Sequence, residues 1–151
     1  MIKIKLKKVL LATLTILLFK GLVGCGTQEP FDVEASGEMR FDGEKFHINI
    51  QTSLLDGSKF IYIITSSDST EVDSITGKLI VEDGVINESI DASDLPEGLY
   101  GVMLYFAPDM QSDELQKIYG SKGENLRGES LKYNEERDIY ELVTNLHFEK
   151  Q

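Results

Sequence analysis

Residues 140–149 read YELVTNLHFE, and apolar and polar side chains alternate along the whole stretch. One set of alternate positions is mainly apolar: Tyr140, Leu142, Thr144, Leu146 and Phe148. The other set is polar: Glu141, Asn145, His147 and Glu149. Successive side chains of a β-strand point to opposite faces, so this period of two predicts a strand with one face toward a core.

The same alternation extends outward from this stretch, over residues 46–51, 75–81 and 99–106. Apart from Lys59, residues 59–65 (KFIYIIT) are all β-branched or aromatic, which predicts a central strand buried on both faces. Asp-Gly pairs at 42–43, 56–57 and 83–84 accept the positive φ angles of tight turns. Six or seven short strands at this spacing predict an antiparallel sandwich.

One segment departs from the strand pattern. Ser112 is a capping residue followed by two acids, and Leu115, Ile118 and Tyr119 recur at helical spacing before Gly120. This arrangement predicts a short helix over residues 112–119 and a glycine-rich loop over 120–132.

Four turn motifs carry a resemblance: LLDGS at 54–58, VEDG at 81–84, LPEGLY at 95–100 and GSKGENLRG at 120–128. Through them, residues 46–131 resemble a group of small bacterial secreted and lipid-anchored proteins of uncharacterised function. The resemblance implies an all-β fold, an immunoglobulin-like antiparallel β-sandwich with one short helix, and it transfers no catalytic residue. Gly98-Leu99-Tyr100 also resembles the tyrosine corner of Greek-key sandwiches, in which the tyrosine hydroxyl bonds to the preceding loop.

The N-terminus has the features of an export signal. Four lysines stand within the first eight residues, and the eleven-residue run 9–19 is apolar apart from two threonines. A basic start before a short apolar run is typical of a secretory signal peptide. A permanent transmembrane anchor is the alternative; it would need about 18 to 20 apolar residues, which would place Lys20 inside the membrane.

Leu22-Val23-Gly24-Cys25 follows this run, and Cys25 is the only cysteine in the chain. The segment resembles the lipobox of bacterial lipoproteins, although the charge of Lys20 so close to the box departs from that pattern. The resemblance implies that Leu22, Val23 and Gly24 are recognised by a signal peptidase, that cleavage precedes Cys25, and that the Cys25 sulfur carries a diacylglycerol. The predicted organisation is a cleaved signal peptide at 1–24, a lipidated tether at 25–33 and a β-sandwich domain at 34–151.

Charge narrows the range of partners. Removal of residues 1–24 would leave ten basic residues against 26 acids, a net charge of −16. The charge argues against nucleic acid as a partner, because its phosphates would be repelled. Docking of the folded domain flat on an anionic bilayer is disfavoured for the same reason. The charge is interpreted mainly as serving solubility, with cationic partners or metal ions as the alternative.

Candidate chemistry is sparse. His47 and His147 stand on the polar faces of predicted strands, where an exposed or hydrogen-bonded histidine is expected, and no zinc-ligand spacing or cofactor motif is present. Acidic runs at 68–73 and 135–138 are interpreted as solvated loops, with a calcium site as the alternative. The six tyrosines are assigned mainly to packing, with an exposed aromatic binding surface as the alternative.

The functional expectation is a non-enzymatic binding or accessory module of the cell envelope, anchored to the membrane on its extracytoplasmic face. An envelope protein is a candidate partner, and no cofactor is expected. The alternatives are a carboxylate-dependent enzyme acting on envelope polymers and a structural subunit of an envelope complex. Two close, buried acids would favour the enzyme, whereas a wide apolar patch would favour a protein partner.

Overall fold

The computed structural model describes residues 29–67 and 74–151. The signal peptide, Cys25 and the acidic run 68–73 lie outside these described residues. The described residues form ten strands and one α-helix in the following order: β1 (Phe31–Asp32), β2 (Ala35–Phe41), β3 (Lys45–Thr52), β4 (Lys59–Ser66), β5 (Ile75–Ile80), β6 (Val85–Asp91), β7 (Gly98–Phe106), α1 (Asp113–Tyr119), β8 (Leu126–Arg127), β9 (Lys132–Asn134) and β10 (Ile139–Lys150). A short 3-10 helix, Pro108–Met110, precedes α1.

Two antiparallel sheets form the body of the domain. One has five strands in the order β5-β4-β7-β10-β9, and the other has three in the order β2-β3-β6. The chain passes from one sheet to the other between β3 and β4, between β5 and β6, and between β6 and β7. This arrangement confirms the predicted immunoglobulin-like antiparallel β-sandwich with one short helix.

The core lies between the two sheets and is built by the alternation seen in the sequence. Phe46 and Ile48 of β3 share one core cluster with Leu104 and Phe106 of β7, and all four are almost fully buried. Full burial of one such side chain contributes about 1.5 to 3 kcal/mol. The inward positions of these strands therefore supply the main stabilisation of the domain.

The tyrosine corner is present as predicted. The hydroxyl of Tyr100 donates to the carbonyl oxygen of Pro96 at 2.8 Å, and the ring is buried at the start of β7. The predicted helix is also confirmed, because the Ser112 hydroxyl accepts from the Leu115 N–H and α1 ends before Gly120, which has a φ of 81°.

Strand β4 differs from its prediction. Phe60 and Ile64 are buried against the three-stranded sheet, but Ile61 and Ile63 on the opposite face are only half-buried. No described element covers this outer face of the five-stranded sheet, so the prediction of burial on both faces was wrong.

The first residues of β10 also depart from simple alternation of buried and exposed side chains. Tyr140 is 40% exposed, although it belongs to the alternate positions that were predicted to face the core. Glu141, at a position predicted to face solvent, is only 9% exposed. Here β10 pairs with the short strand β9 rather than with β7, because the β7 pairing begins at Leu142. The β9–β10 hairpin extends beyond the opposite sheet, so the inward side chains at its end reach solvent.

Residues 31–33, predicted to belong to the tether, pack onto the domain. Strand β1 pairs in parallel with β8, and the N–H of Val33 donates to the carbonyl oxygen of Arg127 at 2.6 Å. Val33 is buried in the core. Among the described residues, the chain is thus joined to the sandwich from Phe31 onward.

Candidate binding site

A cleft of about 420 Å³ opens between β2 of the three-stranded sheet and β10 of the five-stranded sheet. We call it the edge cleft. Its floor consists of four side chains that also belong to the core: Ile50, Phe60, Leu104 and Leu142. Its walls are residues 35–39 of β2 and 142–144 of β10, and its rim includes Glu129 and Ser130 from the loop before β9 and Lys132 at the start of β9.

Small side chains on β2 explain why the cleft exists. The pairing of β2 with β3 places Ala35, Gly37, Met39 and Phe41 on the face that points inward. Ala35 and Gly37 leave space that a larger side chain would fill. Farther along, Phe41 reaches across and contacts Phe148 of β10, with ring centroids 4.4 Å apart. The cleft is therefore a wedge, open near Ala35 and closed at the Phe41–Phe148 contact.

Gly37 is required by the close approach of β2 to β3. A β-carbon at this position would lie 2.1 Å from the carbonyl oxygen of Asn49, far inside van der Waals contact. Glycine within a strand commonly marks such an approach of one backbone to another. The space above Ile50 is thus a direct consequence of how these two strands pair.

Both walls of the edge cleft present strand edges without a partner among the described residues. Strand β2 pairs only with β3. Strand β10 pairs with β9 only over Ile139–Glu141, so from Leu142 onward it is paired on the β7 side alone. Unpaired strand edges carry rows of N–H and C=O groups that can accept another strand.

The charged groups of the cleft are confined to its rim. Glu38, Glu129 and Lys132 are exposed there and give the rim a small excess of negative charge. The described residues as a whole carry 23 acids and ten bases, so the electrostatic potential around the domain is negative, like that of the rim. The floor is entirely apolar and holds no titratable group.

A Ser-His-Asp array lies elsewhere, on the outer face of the three-stranded sheet. His47 Nδ1 is 2.8 Å from Ser89 Oγ, and His47 Nε2 is 2.7 Å from Asp42 Oδ2. Asp42 also accepts from the N–H groups of Glu44 and Lys45, within its own hairpin. The hydrogen bond from His47, followed by these two backbone bonds, holds the pKa of Asp42 well below its ordinary value of 3.8.

This array stabilises the β2–β3 hairpin. It is largely solvent-exposed on a flat sheet face, whereas nucleophilic catalysis needs donors aimed at a developing oxyanion in an enclosed site. His47 is hydrogen-bonded, as the sequence indicates for a surface histidine. His147 is exposed on the outer face of the five-stranded sheet, beside Gly101.

The one buried acid among residues 29–67 and 74–151 is Glu141. Arg137 binds it at 3.8 Å, pairs with Asp109 at 2.7 Å, and lies 5.3 Å from the centre of the Tyr105 ring. Asn134 donates to the other oxygen of Glu141. A single buried carboxylate paired with arginine does not provide the two close, buried acids that the enzyme alternative requires.

In the acidic run 135–138, the carboxylate of Asp138 is held by hydrogen bonds from neighbouring side chains. Asp138 accepts hydrogen bonds from Lys122 and Tyr133, and the bond from Lys122 lowers the pKa of Asp138. Within the part of the chain that the structure describes, no group of three or more His, Cys, Asp or Glu side chains is placed to hold a metal ion.

A second surface is apolar without being concave. On the outer face of the five-stranded sheet, strand register brings five half-buried side chains together: Ile61, Ile63, Met103, Tyr105 and Val143. We call this group the outer patch. The exposed Leu99 continues it along β7. Tyr133 and Tyr140, whose ring centroids are 5.1 Å apart, form a separate exposed aromatic pair on the β9–β10 hairpin.

The residues predicted to direct lipidation, Leu22, Val23, Gly24 and Cys25, lie outside the described residues. Among those described, none of the helices is long and apolar enough to cross a bilayer. The edge cleft was not predicted from the sequence. The available signal was the pair of small residues, Ala35 and Gly37, at alternate positions of the opening strand.

Neither the models of known protein families, nor the curated proteins, nor the solved structures compared with this chain match it. What the domain does must therefore be inferred from its own sequence and geometry.

Proposed function

We propose that this protein is a bacterial lipoprotein, anchored to the membrane on its extracytoplasmic face through a diacylglycerol on Cys25, and that it acts as a binding module of the cell envelope. Its ligand enters the edge cleft. The observation that carries the binding function is the combination of an apolar floor, formed by core side chains, with a polar rim that can orient a ligand.

The anchor is supported by the sequence alone. Two acyl chains give stable attachment, because each buried methylene contributes about 0.8 kcal/mol and one chain is marginal. The strongly acidic domain would gain little from electrostatic attraction to anionic lipid, so the lipid must supply the attachment.

Binding is favoured over catalysis by the placement of the charged groups. The cleft floor is apolar, and the one buried acid of the described residues lies on the outer face of the five-stranded sheet, paired with Arg137. A binding site needs shape and a few orienting polar groups, both of which the edge cleft provides.

The anchor is tested by Cys25→Ser in cells. We expect the wild-type protein to fractionate with membranes and to require detergent for release. The variant should accumulate as uncut precursor or appear in the soluble fraction. Processing and detergent-dependent release that are identical in both proteins would refute the anchor.

The site is tested by photo-crosslinking in intact cells. A benzophenone amino acid is placed at Ser36, on the rim of the edge cleft, or at Ser89 of β6, on the far edge strand of the same sheet. We expect a specific adduct from position 36 that is lost when Ala35→Leu fills the cleft. Adducts that form equally from both positions, or that survive filling, would refute the cleft as the binding site.

A second candidate function, that of a structural subunit of an envelope complex, is favoured by the outer patch. Apolar groups gathered on a sheet face with no described covering element are a typical protein-docking surface. Met103→Lys should then release the protein from a larger detergent-solubilised complex on native gels, while Asn49→Lys on the other sheet should not. A complex that resists Met103→Lys would remove this candidate.

A further inference from the structure

We infer that the edge cleft binds an extended peptide segment of a partner protein, which adds to β10 as a further strand and alternates apolar with cationic residues. This inference rests on the proposed binding function. It identifies the chemical class of the ligand at the same site.

The first ground is the backbone. From Leu142 onward, β10 is hydrogen-bonded on its β7 side only, and on the other side of the cleft β2 also has an unpaired edge. An added strand would satisfy the outward N–H and C=O groups of β10 directly beside β9. In strand addition, these main-chain bonds supply affinity and the pockets for alternate side chains supply specificity.

The second ground is the shape of the cleft. Alternate side chains of a strand lie on one face, about 6.6 to 6.8 Å apart. A peptide paired with β10 would therefore direct every second side chain toward Ile50 and Leu104 and the others toward solvent. The Phe41–Phe148 contact closes the wedge, so the inserted segment is short and lies opposite residues 142–146.

The third ground is charge. The solvent-facing side chains of the added strand would lie near Glu38 and Glu129, with Lys132 as the one base on the rim. The described domain carries 23 acids against ten bases, which attracts cations at longer range. Complementary charge raises association rates and selects partners, so cationic residues are expected at the outward positions.

Two other occupants fit less well. A second copy of this chain would bring two strongly acidic domains together at an acidic rim, which like-charge repulsion disfavours. A lipid acyl chain could cover the apolar floor but would leave the strand edges unpaired.

The test uses residues 25–151 carrying Cys25→Ser, which retains the whole described domain and remains soluble. The probe is acetyl-Lys-Val-Lys-Val-Lys-Val-Lys-amide, titrated into ¹⁵N-labelled protein and followed by NMR. A matched peptide with glutamate in place of lysine tests charge. A second matched peptide with proline in place of valine tests strand pairing, because proline cannot donate to a ladder.

We expect saturable binding of the lysine peptide, with chemical-shift changes and slowed amide exchange at alternate residues of 142–146. Ala35→Leu, and independently Thr144→Leu from the other wall, should weaken this binding at least tenfold while the spectra remain those of a folded protein. The glutamate and proline peptides should bind at least tenfold more weakly than the lysine peptide.

Binding that leaves the β10 amides unprotected, or that persists unchanged in both filled variants, would overturn the inference. So would perturbation of the same floor residues by dodecylphosphocholine below its micellar concentration without any response to the peptide. A concentration-dependent dimer that protects β10 without peptide would also overturn it. If the peptide fails while the position-36 adduct still forms in cells, the binding function stands and strand addition is wrong.

Discussion

The hydroxyl of Tyr119 joins the helix to the loop between β3 and β4, and removing it should be costly. This oxygen accepts from the N–H of Leu55 at 2.7 Å and lies 2.8 Å from the Ser58 hydroxyl. Tyr119 and Ser58 are both 0% exposed. In Tyr119→Phe, two polar groups lose their partner where water has little access.

Each buried polar group left unsatisfied costs about 1 to 3 kcal/mol. The ring contacts of Tyr119 with Phe31 and Phe106 are retained in the variant. We therefore expect a loss of about 2 to 4 kcal/mol in the free energy of unfolding, measured by urea denaturation. For a domain of this size, that corresponds to a fall of roughly 10 °C in melting temperature.

The control is Tyr133→Phe, which removes a hydroxyl bonded to Asp138 on an exposed hairpin. Its expected loss is below about 0.5 kcal/mol, as is usual for surface substitutions. If Tyr119→Phe costs no more than this control, the reasoning about buried hydrogen bonds is refuted.

A pH series adds a second readout for Tyr119. Burial raises the pKa of its phenol above the ordinary value of 10.0. The unfolded chain releases this proton first, so the contribution of Tyr119 is complete below about pH 10 and is lost as the pH rises through its folded value. The stability difference between wild type and Tyr119→Phe should therefore shrink above about pH 10.

Three further predictions concern single contacts. Gly37→Ala should destabilise the domain by about 1 to 3 kcal/mol in urea denaturation, because its β-carbon would lie 2.1 Å from the Asn49 carbonyl oxygen; an unchanged midpoint would contradict this. Arg137→Ala should cost about 1 to 3 kcal/mol by leaving Glu141 buried without a counter-charge, and adding Glu141→Gln should recover part of that loss. Asp42→Asn should lower the melting temperature at pH 7. Because the folded pKa of Asp42 is depressed, its contribution is present above about pH 4 and lost as the pH falls further, so a difference that persists undiminished at low pH would refute this assignment.

The fold could be predicted wherever one face of a strand was buried. Residues 46–51, 99–106 and 142–148 alternate because each strand lies between core and solvent, and turn residues such as Asp42-Gly43 marked the reversals. Strands β1, β8 and β9 are two or three residues long and carry too few side chains to show a period. Burial of β4 was overestimated because the KFIYIIT composition does not distinguish a covered outer face from an apolar, uncovered one.

The edge cleft could not be predicted by the same means. Its existence depends on which residues of β2 lie opposite Ile50, and that register is set by pairing between strands. Ala35 and Gly37 are unremarkable as single residues and become informative only when they occupy successive inward positions. The pairing of Arg137 with Glu141 was missed for a related reason, because Glu141 alternates as a solvent-facing residue and is buried only by the return of its own hairpin.

The proposed anchor would place the edge cleft close to the membrane. Five residues separate Cys25 from Phe31, where the chain joins the sandwich, and the six steps between them span at most about 20 Å when extended. That distance is about 2.5 Debye lengths at physiological salt, so the tether is long enough to let the acidic domain stay near the leaflet and still avoid most of its charge. Strand β2 starts at Ala35, four residues after Phe31, which places the open end of the wedge near the point of attachment. A diffusing soluble protein would have to enter this narrow space, whereas an extended segment next to the membrane would already be in it. The geometry therefore favours the juxtamembrane part of another envelope protein as the source of the proposed peptide.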